Sequence, residues 1–205
     1  MHFAIVVFQG VEELDIVGPW EVLRYATGLI PDERHRVSML TLTPTDEITA
    51  QLGMHFRPDG VLDAPVDVLI IPGGGYVTRA PQGVRAEIEH GELPRRAAEL
   101  HRGGTTLAGV CTGVMVIGSL GMLKGRPAIT HHGALDELRA SGAQLIEARV
   151  VDDGDIITCG GVSSGIDLGL WLVERFLSKE LAEKTAHYIH YNRGEVYVSK
   201  RLRAV

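Results

Sequence analysis

Cysteine is scarce in this chain: there are two in 205 residues, Cys111 and Cys159. Two cannot staple a disulfide scaffold, so the fold must rest on a hydrophobic core. Aromatic residues supply only 5% of the chain. No apolar run approaches the ~18 residues that cross a bilayer. A basic excess is also missing, with 20 Lys plus Arg against 26 Asp plus Glu and a formal charge of −6. That balance argues against nucleic acid or an anionic membrane as a partner. The first residues read as a strand and not as a signal peptide, so a reducing, cytoplasmic setting is expected. Gly73-Gly74-Gly75 does not match Gly-x-Gly-x-x-Gly and is not followed by a Lys-Ser/Thr pair, so no nucleotide is expected. The pairs His131/His132 and His187/His190 lack further ligands at convincing spacing, so neither a metal nor any other cofactor is expected.

What the chain has in quantity is Val, Ile, Leu, Ala and 25 glycines, with 45% apolar residues and a mean hydropathy of +0.10. Short apolar strand patterns alternate with helical ones. Residues 2–8, 37–42, 66–71 and 105–110 read as strands, as do 128–130, 144–151 and 155–159, the last two joined by a turn at Asp152-Asp153-Gly154. Helices are expected from Pro19 to Gly28 and over 84–102, 112–120, 134–140, 164–177 and 180–191. Residues 43–66 read as turns with a short strand pair. Apolar strands of this kind lie in a mainly parallel sheet covered by helices on both faces. The expectation is one α/β domain over residues 1–205, a flavodoxin-like three-layer sandwich.

Ligands of such sheets bind beyond the carboxyl ends of the strands. Cys111 sits there. Leu107-Ala108-Gly109-Val110 runs as a strand into Cys111, and a helical pattern opens from Thr112. A side chain on such a strand-to-helix bend is lifted into a cleft, and the helix start favours a thiolate. This is the expected nucleophile, whereas Cys159, at the end of a buried strand, reads as a core residue. Asp15 lies among Leu14, Ile16 and Val17: it is either a cap before Pro19 or a carboxyl whose apolar surroundings keep it protonated. Glu12, Glu13 and Glu21 read as surface charges. Thr112 is either the first residue of its helix or a hydroxyl turned to substrate or water. Gly73-Gly74-Gly75 is either a permissive turn or a run of amides facing the reacting atom. Tyr76 and Trp20 are candidate walls. Residues 160–167 read as a support for the bend, with Ser163 or Ser164 as helix cap and Asp167 in the first turn.

Taken together, Leu14-Asp15-Ile16-Val17-Gly18-Pro19-Trp20-Glu21-Val22, Leu69-Ile70-Ile71-Pro72-Gly73-Gly74-Gly75, Ala108-Gly109-Val110-Cys111-Thr112-Gly113, Ala128-Ile129-Thr130-His131 and Gly160-Gly161-Val162-Ser163-Ser164-Gly165-Ile166-Asp167 resemble the ThiJ/PfpI superfamily, relatives of the class I glutamine amidotransferases. The pattern within it is similar to the isonitrile-hydrating members. Asp15 stands where many relatives have glutamate, and Thr112 stands where PfpI-type proteases have histidine. The resemblance implies an enzyme without cofactor that adds water to an isonitrile carbon through a cysteine thioimidate and gives an N-substituted formamide. It places Asp15 beside the Cys111 sulfur as proton donor and gives Thr112 a part in holding water. It also makes the amides of Gly74 and Thr112 a donor pair, puts Gly75 in the same run, and sets His131 at the site; His132 is expected to point away, since adjacent strand residues face opposite sides. A homodimer and a small-molecule substrate follow from it. The alternatives are a glyoxalase- or deglycase-type enzyme on reactive carbonyls, the sensor half of an AraC-type regulator, and a protein whose Cys111 responds to oxidation. The short basic tail Lys200-Arg201-Leu202-Arg203 argues against the regulator.

Overall fold

Strands without a polar interruption form the middle of the sheet, because both of their faces are covered. The computed structural model describes residues 1–31 and 34–202, so Arg203 of the basic tail lies outside it. In chain order the elements are β1 (His2–Val6), α1 (Glu13–Gly28), β2 (Arg36–Thr41), β3 (Ile48–Thr49), β4 (His55–Phe56), β5 (Gly60–Val61) and β6 (Val68–Ile71). There follow α2 (Val84–His90), α3 (Glu92–Arg102), β7 (Thr106–Gly109), α4 (Val114–Ser119), β8 (Pro127–Ala128), α5 (Leu135–Ala140) and β9 (Gln144–Leu145). The chain closes with β10 (Val150–Asp152), β11 (Ile156–Cys159), α6 (Ser164–Phe176), α7 (Lys179–Tyr188) and β12 (Val196–Val198).

The main sheet has eight strands in the order β12-β10-β11-β7-β6-β1-β2-β5. Neighbours are parallel except at the β10–β11 hairpin, where Asp152 faces Ile157 in antiparallel register. Helices α1, α6 and α7 pack together as one layer, and α2, α3 and α4 as another. The fold is therefore the expected single-domain, mainly parallel α/β sandwich. Ile5, Leu69, Ile70, Ile71 and Leu107 are fully buried between the layers.

Several local expectations change. Pro19 lies inside α1 rather than at its start, so Asp15 belongs to the first helical turn and not to a loop. Lacking an N–H, Pro19 leaves one carbonyl of that turn without its helical partner. The 84–102 pattern is two helices broken at Gly91. The 144–151 pattern divides between β9, which pairs with β8 outside the main sheet, and β10. β12 was not expected as a strand. Helix α1 approaches α6 closely because α6 presents glycine there: a Cβ on Gly169 would lie 3.0 Å from Val22 Cβ. Among the described residues, no helix is long and apolar enough to cross a membrane.

Beneath the sheet edge, the fully buried Asp152 carboxylate accepts hydrogen bonds from Trp171 Nε1 at 2.7 Å and from Arg175 Nη1 at 2.8 and 2.9 Å, tying β10 to α6. Removing one partner of a buried ion pair strands the other charge. Asp152→Ala is therefore expected to lower the unfolding free energy by about 3–5 kcal/mol in urea titration; a loss below about 1 kcal/mol would show that the pair is not needed.

Candidate active site

Beyond the carboxyl end of β7 the chain bends through a single tight turn, Cys111–Gly113, before α4 begins. Cys111 has φ 53, an unusual backbone conformation for a residue with a side chain. It is held on both sides: its N–H donates to Gly160 O at 3.0 Å, and its carbonyl accepts from Thr130 Oγ1 at 2.6 Å. The glycine two residues later is obligatory, because a Cβ on Gly113 would stand 2.0 Å from Ile71 O and 2.6 Å from Pro72 O. The Cys111–Gly113 turn can thus pack directly on the end of β6.

Asp15 reaches the bend from the first turn of α1. It is fully buried, and its Oδ2 accepts from the Gly73 N–H at 2.8 Å. Gly73 fits tightly between the two chemical groups of the site. A Cβ there would lie 2.6 Å from Thr112 Oγ1 and 2.8 Å from Asp15 Oδ2. The other carboxyl oxygen, Oδ1, is buried without a hydrogen-bond partner of good geometry, while the Cys111 side chain interacts with the carboxyl. An ionised oxygen in that position would carry an uncompensated desolvation penalty; a protonated one carries far less. Burial pushes the Asp15 pKa up to about 8, against the Gly73 hydrogen bond, with the Glu12 charge adding to the rise. At neutral pH the carboxyl is mostly the neutral acid.

The same burial changes the expectation for the sulfur. Burial first and the neighbouring Asp15 second push the Cys111 thiol above its usual range, while the N–H groups of Thr112 and Val162 pull it down. The resting pair is therefore thiol plus carboxylic acid rather than a free thiolate. Cys159 is buried beneath the bend, as expected of a core residue.

A cavity of about 210 Å³ opens over Cys111 and is bordered by Thr112, Gly74, Gly75, His131, Tyr76 and Val162, with Glu12 and Gln51 also on its wall. The structure thus brings together Cys111, Asp15, Thr112, Gly74, Gly75 and His131, Asp15 from behind the sulfur and the others around the opening. The amides of the glycine run have side-chain partners. Gly74 N–H donates to Thr112 Oγ1 at 3.3 Å, and Gly75 N–H donates to Gln51 Oε1 at 2.5 Å. The main-chain donors that meet the sulfur belong to Thr112 and Val162. His131 Nδ1 accepts from Gly133 N–H at 3.0 Å, which leaves Nε2 to carry the ring proton. Burial, then His132, lowers the His131 pKa, so this histidine is a neutral donor. The His132 ring lies tilted against that of His131, with 4.0 Å between centroids, and borders a separate depression. Trp20 does not border the cavity; Tyr76 does.

Three groups escaped the sequence reading. Glu12, taken as a surface charge, borders the cavity, as does Gln51 from the irregular region before β4. The Val162 amide carries no side-chain signal at all. Ser163 occupies the N-cap of α6 without a side-chain capping bond, and its hydroxyl instead accepts from Arg149 Nη2 at 3.1 Å. Among the described residues, no group of three or more His, Cys, Asp or Glu side chains could hold a metal ion.

The electrostatics set a titration. Cys111 alkylation by iodoacetamide is expected to keep rising through pH 9 in the wild type, past the usual cysteine pKa of about 8.5. Asp15→Asn removes the like charge that forms as Asp15 ionises, so the curve is expected to move to lower pH. A wild-type plateau below about pH 8 would contradict the arrangement.

The DJ-1/PfpI family signature matches residues 1–175. The chain is 32% identical over 194 residues to an isonitrile hydratase of Pseudomonas putida, covering 93% of this chain and 78% of that protein. It is 27% identical over 169 residues to a deglycase of Pyrococcus horikoshii, covering 80% of this chain and 90% of the other. Among solved structures, a ThiJ/PfpI family protein from Pseudomonas syringae superposes with a TM-score of 0.79 at 27% identity, covering 93% of this chain and 75% of that one. A DJ-1 superfamily protein from Salmonella typhimurium superposes with a TM-score of 0.79 at 22% identity, covering 93% and 98%. With that signature over residues 1–175 and a relative 32% identical over 93% of this chain, the chain belongs to the DJ-1/PfpI family.

Proposed function

We propose that this protein hydrates isonitriles, with Cys111 as nucleophile and Asp15 as the acid that moves the proton. The observation that carries the reading is the buried Asp15 carboxyl, anchored at one oxygen by Gly73 N–H and left with a proton to give beside the thiol. An isonitrile carbon needs both groups at once. It accepts a sulfur electron pair and, as carbanion character develops, a proton at the same atom.

In the first half-reaction the Cys111 sulfur bonds to the terminal carbon as the Asp15 proton passes to that carbon. The thiol proton replaces it on Asp15, and the product is a neutral thioimidate. A stable thiolate is not required, which suits a raised thiol pKa. In the second half-reaction water adds its oxygen to the thioimidate carbon and one proton reaches the nitrogen. The carbon–sulfur bond then breaks, the sulfur recovers a proton, and an N-substituted formamide leaves. The amides of Thr112 and Val162 stabilise the sulfur as it departs. Gly74 N–H, held only by a 3.3 Å bond, and His131 Nε2–H are the donors for the oxygen of the tetrahedral species. The Thr112 hydroxyl positions the water.

The similarity to the Pseudomonas putida isonitrile hydratase supports this reaction, and the similarity to deglycases supports a second reading in which the same cysteine attacks a reactive carbonyl. The neutral Asp15 acid beside the sulfur favours the first, because only the isonitrile takes its proton at the attacked carbon. Cys111→Ala is expected to abolish turnover of alkyl and aryl isonitriles, and Asp15→Asn to cost about 10²-fold in kcat. Loss of methylglyoxal without loss of isonitrile on the same preparation would assign the second reading, and isonitrile hydration by Cys111→Ala at the wild-type rate would overturn both roles.

We further propose a homodimer formed around α1, where Leu14 and Val17 on either side of Asp15 are 38% and 36% exposed. A monomer mass by analytical ultracentrifugation at micromolar concentration would contradict it.

A further inference from the structure

The walls of the Cys111 cavity have an uneven charge. Among the described residues Glu12 is the one carboxyl side chain that borders the cavity, and partial burial, then Glu13, pushes its pKa up from the ordinary carboxylate value. No ion pair or side-chain hydrogen bond among the described residues engages it, and its charge acts on both Asp15 and Cys111. The other titratable neighbours contribute no positive charge: His131 is neutral, and Asp15 is mostly an acid.

The cation that packs on the Tyr76 wall is committed elsewhere. Arg85 lies 3.9 Å over the Tyr76 ring, donates from Nε to Tyr76 O at 2.7 Å, and pairs through Nη2 with Glu137 at 2.9 Å. Neither it nor Arg79 borders the cavity. The start of α1 would attract an anion, but Glu12 and Glu13 stand at that end and offset the dipole. An anion entering this small space therefore meets a carboxylate and finds no counter-charge. A neutral molecule meets mostly apolar wall and the donors of His131 and Gly74.

We propose that Glu12 makes the cavity a charge filter, so that its substrates are small, uncharged electrophiles and carboxylate-bearing ones are turned away. Combined with the hydration reading, on which this specific form rests, the substrate class is neutral alkyl or aryl isonitriles. Glu12 acts on specificity rather than on the bond-making atoms. The filter itself acts on any reagent for Cys111 and is measurable without the hydration reaction.

The test uses alkylation of Cys111 by iodoacetamide, iodoacetate and 2-bromoethylamine, followed on the Cys111 peptide by mass spectrometry. In each case the sulfur–carbon bond forms as halide leaves and the thiol proton goes to solvent. Each rate is measured at pH 7, where Asp15 is mostly the neutral acid, and divided by the rate with 2-mercaptoethanol at the same pH. For the wild type, the normalised iodoacetate rate is expected to fall about tenfold below that of iodoacetamide, the scale of one like charge at close range in a partly screened site. The ammonium reagent is expected to exceed iodoacetamide. In Glu12→Gln the three normalised rates are expected to converge. Equal normalised rates in the wild type, or a ratio unchanged by Glu12→Gln, would overturn the proposal. If that variant does not fold, the wild-type ammonium arm decides: a normalised rate above that of iodoacetamide supports the filter, and one equal or lower overturns it. Turnover of a neutral alkyl isonitrile against isocyanoacetate separates the two readings. A protein that hydrates neither but keeps the alkylation ratios lacks the proposed reaction and retains the filter. One that hydrates both equally well has no filter.

Discussion

A carboxyl group held 2.8 Å from the Gly73 amide, with no exposure to solvent, determines what the rest of this site can be. Its placement depends on parts of the chain that meet only in the folded state. Helix α1 brings Asp15 in, the β6 turn supplies a residue without a side chain, and the Cys111–Gly113 turn sets the sulfur against it. Enlarging Gly73 would push on both the Asp15 oxygen and the Thr112 hydroxyl, because each would lie within 3 Å of a new Cβ. Packing here is chemistry: the same closeness that removes water from the carboxyl keeps its proton on.

That proton also resolves a tension between helix dipole and burial. The bend places Cys111 at the start of a short helical segment, where amides favour a thiolate, and Thr112 and Val162 do turn N–H groups to the sulfur. Burial and the neighbouring acid outweigh them, because a group with 4% exposure loses most of its hydration. The site therefore holds a matched pair of neutral acids. Such a pair is poorly suited to reactions that need a standing thiolate. It is well suited to adding S–H across one carbon, where sulfur and proton arrive at the same atom.

The sheet was largely legible in the sequence, because β1, β6, β7 and β11 are buried on both faces and read as unbroken apolar runs. β12 was not, since Val196, Tyr197 and Val198 lie on an edge and are at most partly buried. Pro19 misled as a helix start because its cost inside α1 is met by packing against α6, which no local pattern reveals. Cys111, Asp15, Thr112 and His131 could be singled out by residue type and motif. Glu12 could not be told from Glu13 on the same grounds: both are acids at one helix end, yet Glu12 borders the cavity and Glu13 receives the amides of Leu52 and Met54. The donors were hardest to assign. An amide has the same identity in every residue, so only folding shows that Val162 meets the sulfur while Gly75 is taken by Gln51.

The protonation of Asp15 is the most direct point of attack. Infrared difference spectra between wild type and Asp15→Asn, taken across the pH range, isolate the carbonyl stretch of a protonated Asp15 side chain. The arrangement described here predicts that this band is present at neutral pH and disappears with a midpoint near the pKa of about 8 set by burial. A band already absent at pH 6, with the symmetric carboxylate stretch in its place, would mean that Asp15 is an ordinary ionised acid and has no proton to deliver.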